Sequence, residues 1–365
     1  MEVTADRAHL AQTLGIVARA ISTRSTLPIL SNVLVEASIN QLTLTATDLD
    51  TSIRASLEAK VKTPGTISVA ANVLSEVVSS LPTSEVDLQL KENQLHVRAG
   101  RARYQILILP ADEFPSLPEV ATEVALRLTQ TALKDMIRQT LCAVAKEESN
   151  PILTGVLFEV RAGRLNLVAT DTHRLAWRST KLSEAPKEKF SLIIPNRPLN
   201  ELQRLLKEGD SEVLIHLTEN QVAFITEQAT LISRVIDGQF PNYEKVIPQD
   251  TERAVTVNSK EFLGVLKRVA IVARQNAEKV VLTIDRETMA LSAESQEVGH
   301  GKEEMAIRLD GEPLEIAFNV RYLIDALSVL DAENTVLQLT GALNPGLVKP
   351  EHDEEFVYVV MPMQI

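Results

Sequence analysis

A single cysteine, Cys142, excludes any intrachain disulfide and fits a reducing compartment. It falls in the stretch DMIRQTLCAVA, which reads as the apolar face of a helix, so the expectation is a buried, inert thiol. Aromatic residues make up only 4% of the chain against 45% apolar residues, so the cores are aliphatic. No apolar run approaches the roughly 18–20 residues needed to span a bilayer. The N-terminal segment lacks the basic-then-apolar shape of a secretory signal. Those two absences set the expectation of a soluble, cytoplasmic protein with no membrane partner. The six histidines (His9, His96, His173, His216, His300 and His352) are scattered, without an HExxH pattern, which argues against a metal site. There is no GxSxG elbow. The stretch GALNPGLVK mimics a phosphate loop in its glycines, yet Leu347 stands where lysine is required. No cofactor is therefore expected. Positive charge is also short: the net charge is −12, which taken alone argues against a polyanionic partner.

What is present is a repeat. Residues 27–56 and 150–179 align without a gap at an offset of 123, with 12 of 30 positions identical, among them Pro28/Pro151, Leu30/Leu153, Thr47/Thr170 and Asp48/Asp171. ADEFPSL (111–117) echoes DGQFPNY (237–243), and VVLTIDRETMALSAES (280–295) is a weaker third copy of the strands at 32–48. A period of this size is a domain, not a solenoid unit. Each copy reads as a helix, alternating strands, a second helix and closing strands. The helices fall near 6–20, 70–81, 129–146, 196–207, 259–274 and 319–330. The expectation is an α+β chain of three copies, 1–121, 122–250 and 251–365, with helices on one face of antiparallel sheets.

Charge is divided unevenly. The six helix windows sum to +7, which leaves −19 on the rest of the chain. Such a split either keeps surface helices soluble or lines one shared face toward a polyanion.

The stretch ATDTHRLAW (169–177) gathers Asp171, His173 and Arg174. Its twin, ATDLDTSIR, keeps Thr47 and Asp48 but has Asp50 and Thr51 where His173 and Arg174 stand. Thr170 and Asp171 are thus expected to shape a turn, while His173, Arg174 and Leu175 belong to the middle copy alone. A hydrolase built on Asp171 and His173 would lack a nucleophile beside the pair. A non-ring, peptide-binding adaptor is a further alternative.

TLPILSNVL, ATDTHRLA, DGQFPNYEKVIP, FNVRYLIDAL and the terminal YVVMPMQI occur in this order over the whole chain, and together they resemble the bacterial DNA polymerase III β subunit, the replicative sliding clamp. The resemblance implies a non-catalytic ring of two subunits, joined head to tail around double-stranded DNA, with helices inside and sheets outside. It implies as partners the DNA polymerase III α subunit, the clamp loader, and other proteins carrying a clamp-binding motif, such as repair polymerases, mismatch-repair proteins and ligase. It places a hydrophobic peptide groove at Leu153, Thr170, Thr172, His173, Arg174, Leu175, Pro241, Val246, Asn319, Tyr322, Leu343, Val359, Val360, Met361, Pro362, Met363 and Gln364. Thr172, Ala277 and Gln364 depart from residues common in the family. For the subunit junction it implies Arg101, Arg103, Tyr104 and Ile106 opposite Ile271, Val272, Glu303 and Glu304. Arg24 matches a family DNA contact; Lys134, Arg138, Arg197, Arg204, Lys267 and Arg268 are DNA-facing candidates from helix position alone.

Overall fold

The structure is a computed structural model and describes residues 1–22, 27–116, 120–147, 149–184, 189–274 and 277–365. Arg24 lies outside the described residues. Six α-helices occur among the described residues: α1 (Arg7–Val17), α2 (Ala71–Ser80), α3 (Gln130–Leu141), α4 (Asn196–Leu205), α5 (Ser259–Ala273) and α6 (Val320–Ser328). All six sit inside the windows read from periodicity. α1 and α3 fall furthest short of their expected ends. After Val17 the chain tightens into a 3-10 turn, Ala18–Ala20. α3 stops at Leu141, because the N–H groups of Ala143 and Val144 turn back to the carbonyls of Thr140 and Leu141. Three helix starts carry side-chain caps: Asp6 accepts from the N–H of His9 at α1, Asn258 from Glu261 at α5, and Asn319 from Arg321 at α6.

The chain packs as two compact units, Met1–Lys134 with Arg197–Val235, and Asp135–Asn196 with Ile236–Ile365. The first unit holds a 12-stranded sheet. Its longest strand, Thr51–Thr63, pairs along one part with Gln41–Thr47 and at its far end with Glu2–Asp6. α1 packs on these strands and against α2, burying Leu10, Leu14 and Val17. The second unit holds a nine-stranded and a four-stranded sheet, with α5 packed against α6 and over the strands Thr288–Ser295 and Gly299–Ala306. A Cβ on Gly301 would lie 3.3 Å from Val272 of α5, so helix and strand are in close contact there.

The middle copy is therefore divided between the units. The reason is backbone hydrogen bonding: Arg174–Lys181 pairs with Phe356–Val360, and Thr230–Arg234 pairs with Thr51–Arg54. Sheets run on from one copy into its neighbour, so packing cuts the chain elsewhere than the repeat does. The sheet cores are aliphatic, as composition required, with Phe158, Phe224, Phe262, Phe318, Phe356 and Tyr358 the few large rings fully buried.

Candidate peptide-binding groove

The turn after strand Arg164–Thr170 is built by its own side chains. Asp171 Oδ1 accepts the N–H groups of His173 and Arg174, each at 3.0 Å. Thr170 Oγ1 donates to the Arg174 carbonyl at 2.7 Å and accepts from the N–H of Thr172 at 3.2 Å. The twin turn repeats this. Asp48 Oδ1 accepts from Asp50 and Thr51, and Thr47 Oγ1 donates to the Thr51 carbonyl and accepts from the N–H of Leu49. Both turns place a non-glycine residue in the left-handed region, Leu49 at φ 82° and Thr172 at φ 77°. The shared Thr-Asp pair is turn chemistry, as the repeat implied.

Arg174 differs from the rest of the turn. It is only 4% exposed. Its Nε meets Asp171 Oδ2 at 2.9 Å, and one terminal nitrogen reaches Asp325 Oδ2 at 2.5 Å and the Tyr358 hydroxyl at 3.1 Å. The guanidinium also lies 4.5 Å from the centre of the Tyr322 ring, and that ring is stacked with His173 at 6.4 Å. Burial by itself would lower the Arg174 pKa; Tyr358 and Asp325 outweigh it and raise it, so the group stays charged. Burial pushes the Tyr358 phenol well above its usual range, and burial with the nearby Asp171 raises Tyr322. Asp171 and His173 make no side-chain pair: the acid faces Arg174, so the arrangement offers no general-base dyad for a hydrolase.

A cleft of about 750 Å³ opens beside the turn. Its lining includes Leu153, Thr172, His173, Arg174 and Tyr322, together with Lys146, Glu147, Asn150, Glu278, Arg321 and Asp325, which sequence reasoning missed. Asp325 was findable: it stands three residues from Tyr322 on one helix, hence on the same face. The terminal segment runs along the same region. Met361 donates its N–H to the His173 carbonyl, and Met363 to the Ala317 carbonyl. Met361 is exposed, Pro362 and Met363 are half-buried, and Gln364 is exposed with its carbonyl near Lys279. Leu343, Val246 and Pro241 are exposed, Leu343 at 77%.

Five groove candidates lie deeper than a contact surface. Leu153, Leu175, Val359 and Val360 are buried, Leu175 and Val359 within one apolar cluster with Leu157, Tyr243 and Leu347, while Arg174 is enclosed by its partners. They form a floor. Asn319 spends its Oδ1 on capping α6, and Thr170 spends its hydroxyl on the turn. The FPNY loop that carries Pro241 is anchored by the Tyr243 hydroxyl, which donates to Glu159 at 2.8 Å.

At the junction candidates, Arg101, Arg103 and Tyr104 are exposed, as is Ile271 at 62%. Ile106 is buried instead, because strand alternation turns it inward from Gln105 and Leu107. Val272 packs against Gly301, and Glu303 is held in a two-pronged pair by Arg268 of the same chain, which lowers its pKa. Glu304, on the opposite face of that strand, is exposed and has no ion pair among the described residues. Of the DNA-facing candidates, Lys134 pairs with Glu208, Arg138 with Asp135, Arg204 with Glu201 and Arg268 with Glu303. Arg197 bonds to Asp48 and to the carbonyls of Ala20 and Ile21, which makes it a tie within the first unit. Lys267 is exposed and has no ion pair among the described residues.

Sheets that continue from copy to copy, helix pairs laid on them and a cleft at the end of one such junction define a three-copy clamp architecture. Models of the DNA polymerase III beta subunit match the chain in three parts: the N-terminal domain at 1–118, the central domain at 127–242 and the C-terminal domain at 244–364. A beta sliding clamp of Synechococcus elongatus is 36% identical over 373 residues, covering 100% of both chains. The crystal structure of the DNA polymerase sliding clamp from Bacillus subtilis superposes with a TM-score of 0.96 at 33% identity, covering 100% of this chain and 99% of that one. A sliding clamp from Pseudomonas aeruginosa bound to griselimycin gives 0.96 at 34% identity, with 100% of both covered. The chain belongs to the DNA polymerase III beta-subunit family, the beta sliding clamps.

Proposed function

We propose that this sliding clamp acts in the cytoplasm as a head-to-tail pair closed around duplex DNA, and that each subunit captures short peptides of the replicative polymerase, the clamp loader and repair proteins in the groove at His173, Tyr322 and Met361. The division into domains 1–121, 122–250 and 251–365 belongs to the same reading. The observation that carries the ring is a pair of free sheet edges. Residues 102–107 of the strand Ala102–Leu109 pair on one side with Gln94–Ala99, and among the described residues only Ile108 and Leu109 are met on the other. Gly299–Ala306 is one of the two outer strands of the four-stranded sheet. Long unpaired edges invite pairing with another chain. The charges are complementary: Arg101 and Arg103 flank one edge, Glu304 the other.

Strand alternation refines the pairing. Arg103 shares a face with Arg98, and Glu304 with Lys302, while Tyr104 and Glu303 lie on the opposite faces of their strands. Arg103 faces away from buried Ile106 and Glu304 away from α5, so the proposed pairing joins Arg103 to Glu304 and leaves Glu303 to Arg268. Phosphate contacts come from lysine and arginine of the helices and read no sequence, which lets the ring slide.

The test is retention. The protein is loaded onto nicked circular plasmid with its clamp loader and ATP, washed in high salt, and the plasmid is then cut. Release only on cutting is expected for a topological link. Loss in the wash would mean ordinary phosphate binding and would end the ring reading.

A further inference from the structure

We propose that Arg174 is a positioning residue of the groove: it takes no part in gripping a peptide directly, and instead fixes the Tyr322 ring, with His173 beside it, as the wall against which the peptide packs. This rests on the groove reading above. Arg174 is only 4% exposed, and its Nε and one of its two terminal nitrogens are already bonded within the fold. It is engaged by Asp171, Asp325 and the Tyr358 hydroxyl around its edge and by Tyr322 on its face. The planar fork can serve two carboxylates and a ring at once, which a lysine ammonium cannot.

The chain carries its own control. The twin turn at Thr47–Thr51 has the same threonine and aspartate bonds and the same left-handed residue, yet has Thr51 in the place of Arg174. The turn does not need the arginine. Strand pairing locates the rest of the difference. Arg174 pairs with Val360 and Thr51 with Ser233, which puts Tyr358 and Leu231 in equivalent places two residues earlier. At the twin site an apolar leucine therefore stands where the hydroxyl stands here, and the second oxygen of Asp48 is met by Arg197. The polar set around Arg174 is particular to the junction with the cleft, beneath the two rings that line it.

The test is a double-mutant cycle in affinity for griselimycin, the compound held by the Pseudomonas aeruginosa clamp. Arg174→Met is expected to weaken binding about 10-fold and Tyr322→Ala about 30-fold, with the double variant near 30-fold, because an arginine that acts through the ring has nothing left to act on. Multiplication to about 300-fold, or an Arg174→Met affinity equal to the unaltered chain, would overturn the proposal. Arg174→Lys carries the cycle if the methionine variant does not fold, and it should recover part of the loss. Met361→Glu separates the two readings: binding that survives it, or an unaltered chain that does not bind, sinks the groove itself.

Discussion

Thr172 holds a β-branched side chain at φ 77°, a conformation that costs an L residue about 1–2 kcal/mol. Glycine there removes that strain and returns part of the gain as lost freedom on folding. Thr172→Gly is expected to raise stability by about 0.5–1 kcal/mol in urea melts; a loss would show that the threonine makes a contact worth more than its strain. Cys142 lies just past α3, half-buried, its thiol donating to the Gln139 carbonyl at 3.3 Å. Burial pushes its pKa up to about 12, with Asp325 adding to the rise and Arg174 opposing it. Thiol-reactive dyes should label it slowly at pH 8 and rapidly once urea unfolds the chain. The linkage has a definite sign. The folded pKa exceeds the ordinary value of 9.0, so this group's contribution is present below pH 9 and is lost as the pH rises toward 12, where the unfolded chain ionises first. Replacing Cys142 with alanine should flatten that alkaline decline. The special status of His173 and Arg174 was legible in the sequence, since the twin turn lacks both. The burial of Arg174 was not, because its partners Asp325 and Tyr358 lie 151 and 184 residues away.

At the scale of elements, helices announced themselves because a 3.6-residue apolar period is a local fact. Asn258→Ala removes the cap of α5 and should cost about 1 kcal/mol in thermal or urea unfolding. The two edge strands were covered only by the general reading of closing strands, and the edge at 101–106 came from the family resemblance alone. Whether the strand Ala102–Leu109 is paired on both sides depends on distant partners, and so does the inward turn of Ile106. Reversing charge at Arg103 to glutamate should weaken the dimer, measured by sedimentation at nanomolar protein, and Glu304→Arg should restore it. Glu303→Arg should not, since that carboxylate is occupied by Arg268. Equal rescue by both would mean that the edges pair in another register.

For the whole molecule, a net charge of −12 coexists with DNA as the proposed partner because the positive charge is concentrated on helices. Most of the basic side chains at the DNA-facing positions are in exposed ion pairs, which are worth at most about 1 kcal/mol and can yield to phosphate. Lys267 has no such pair among the described residues. Lys267→Ala should reduce the salt slope of binding to short linear duplex by about one, without changing retention on a closed circle after loading. A change in circle retention would mean that the link is electrostatic.

The sequence by itself determined the helices, the strands, the threefold repeat, the charge split and the copy-specific residues at 173–175, because each depends on neighbours within a turn or on comparison with an equivalent stretch. Only the tertiary structure decided where the sheets run on between copies, which edges stay open, that Arg197 ties the first unit together, and that Arg174 lies beneath the groove. These are consequences of hydrogen bonds and ion pairs closed over more than a hundred residues, and no local pattern encodes which of many acids or strands a given side chain will meet.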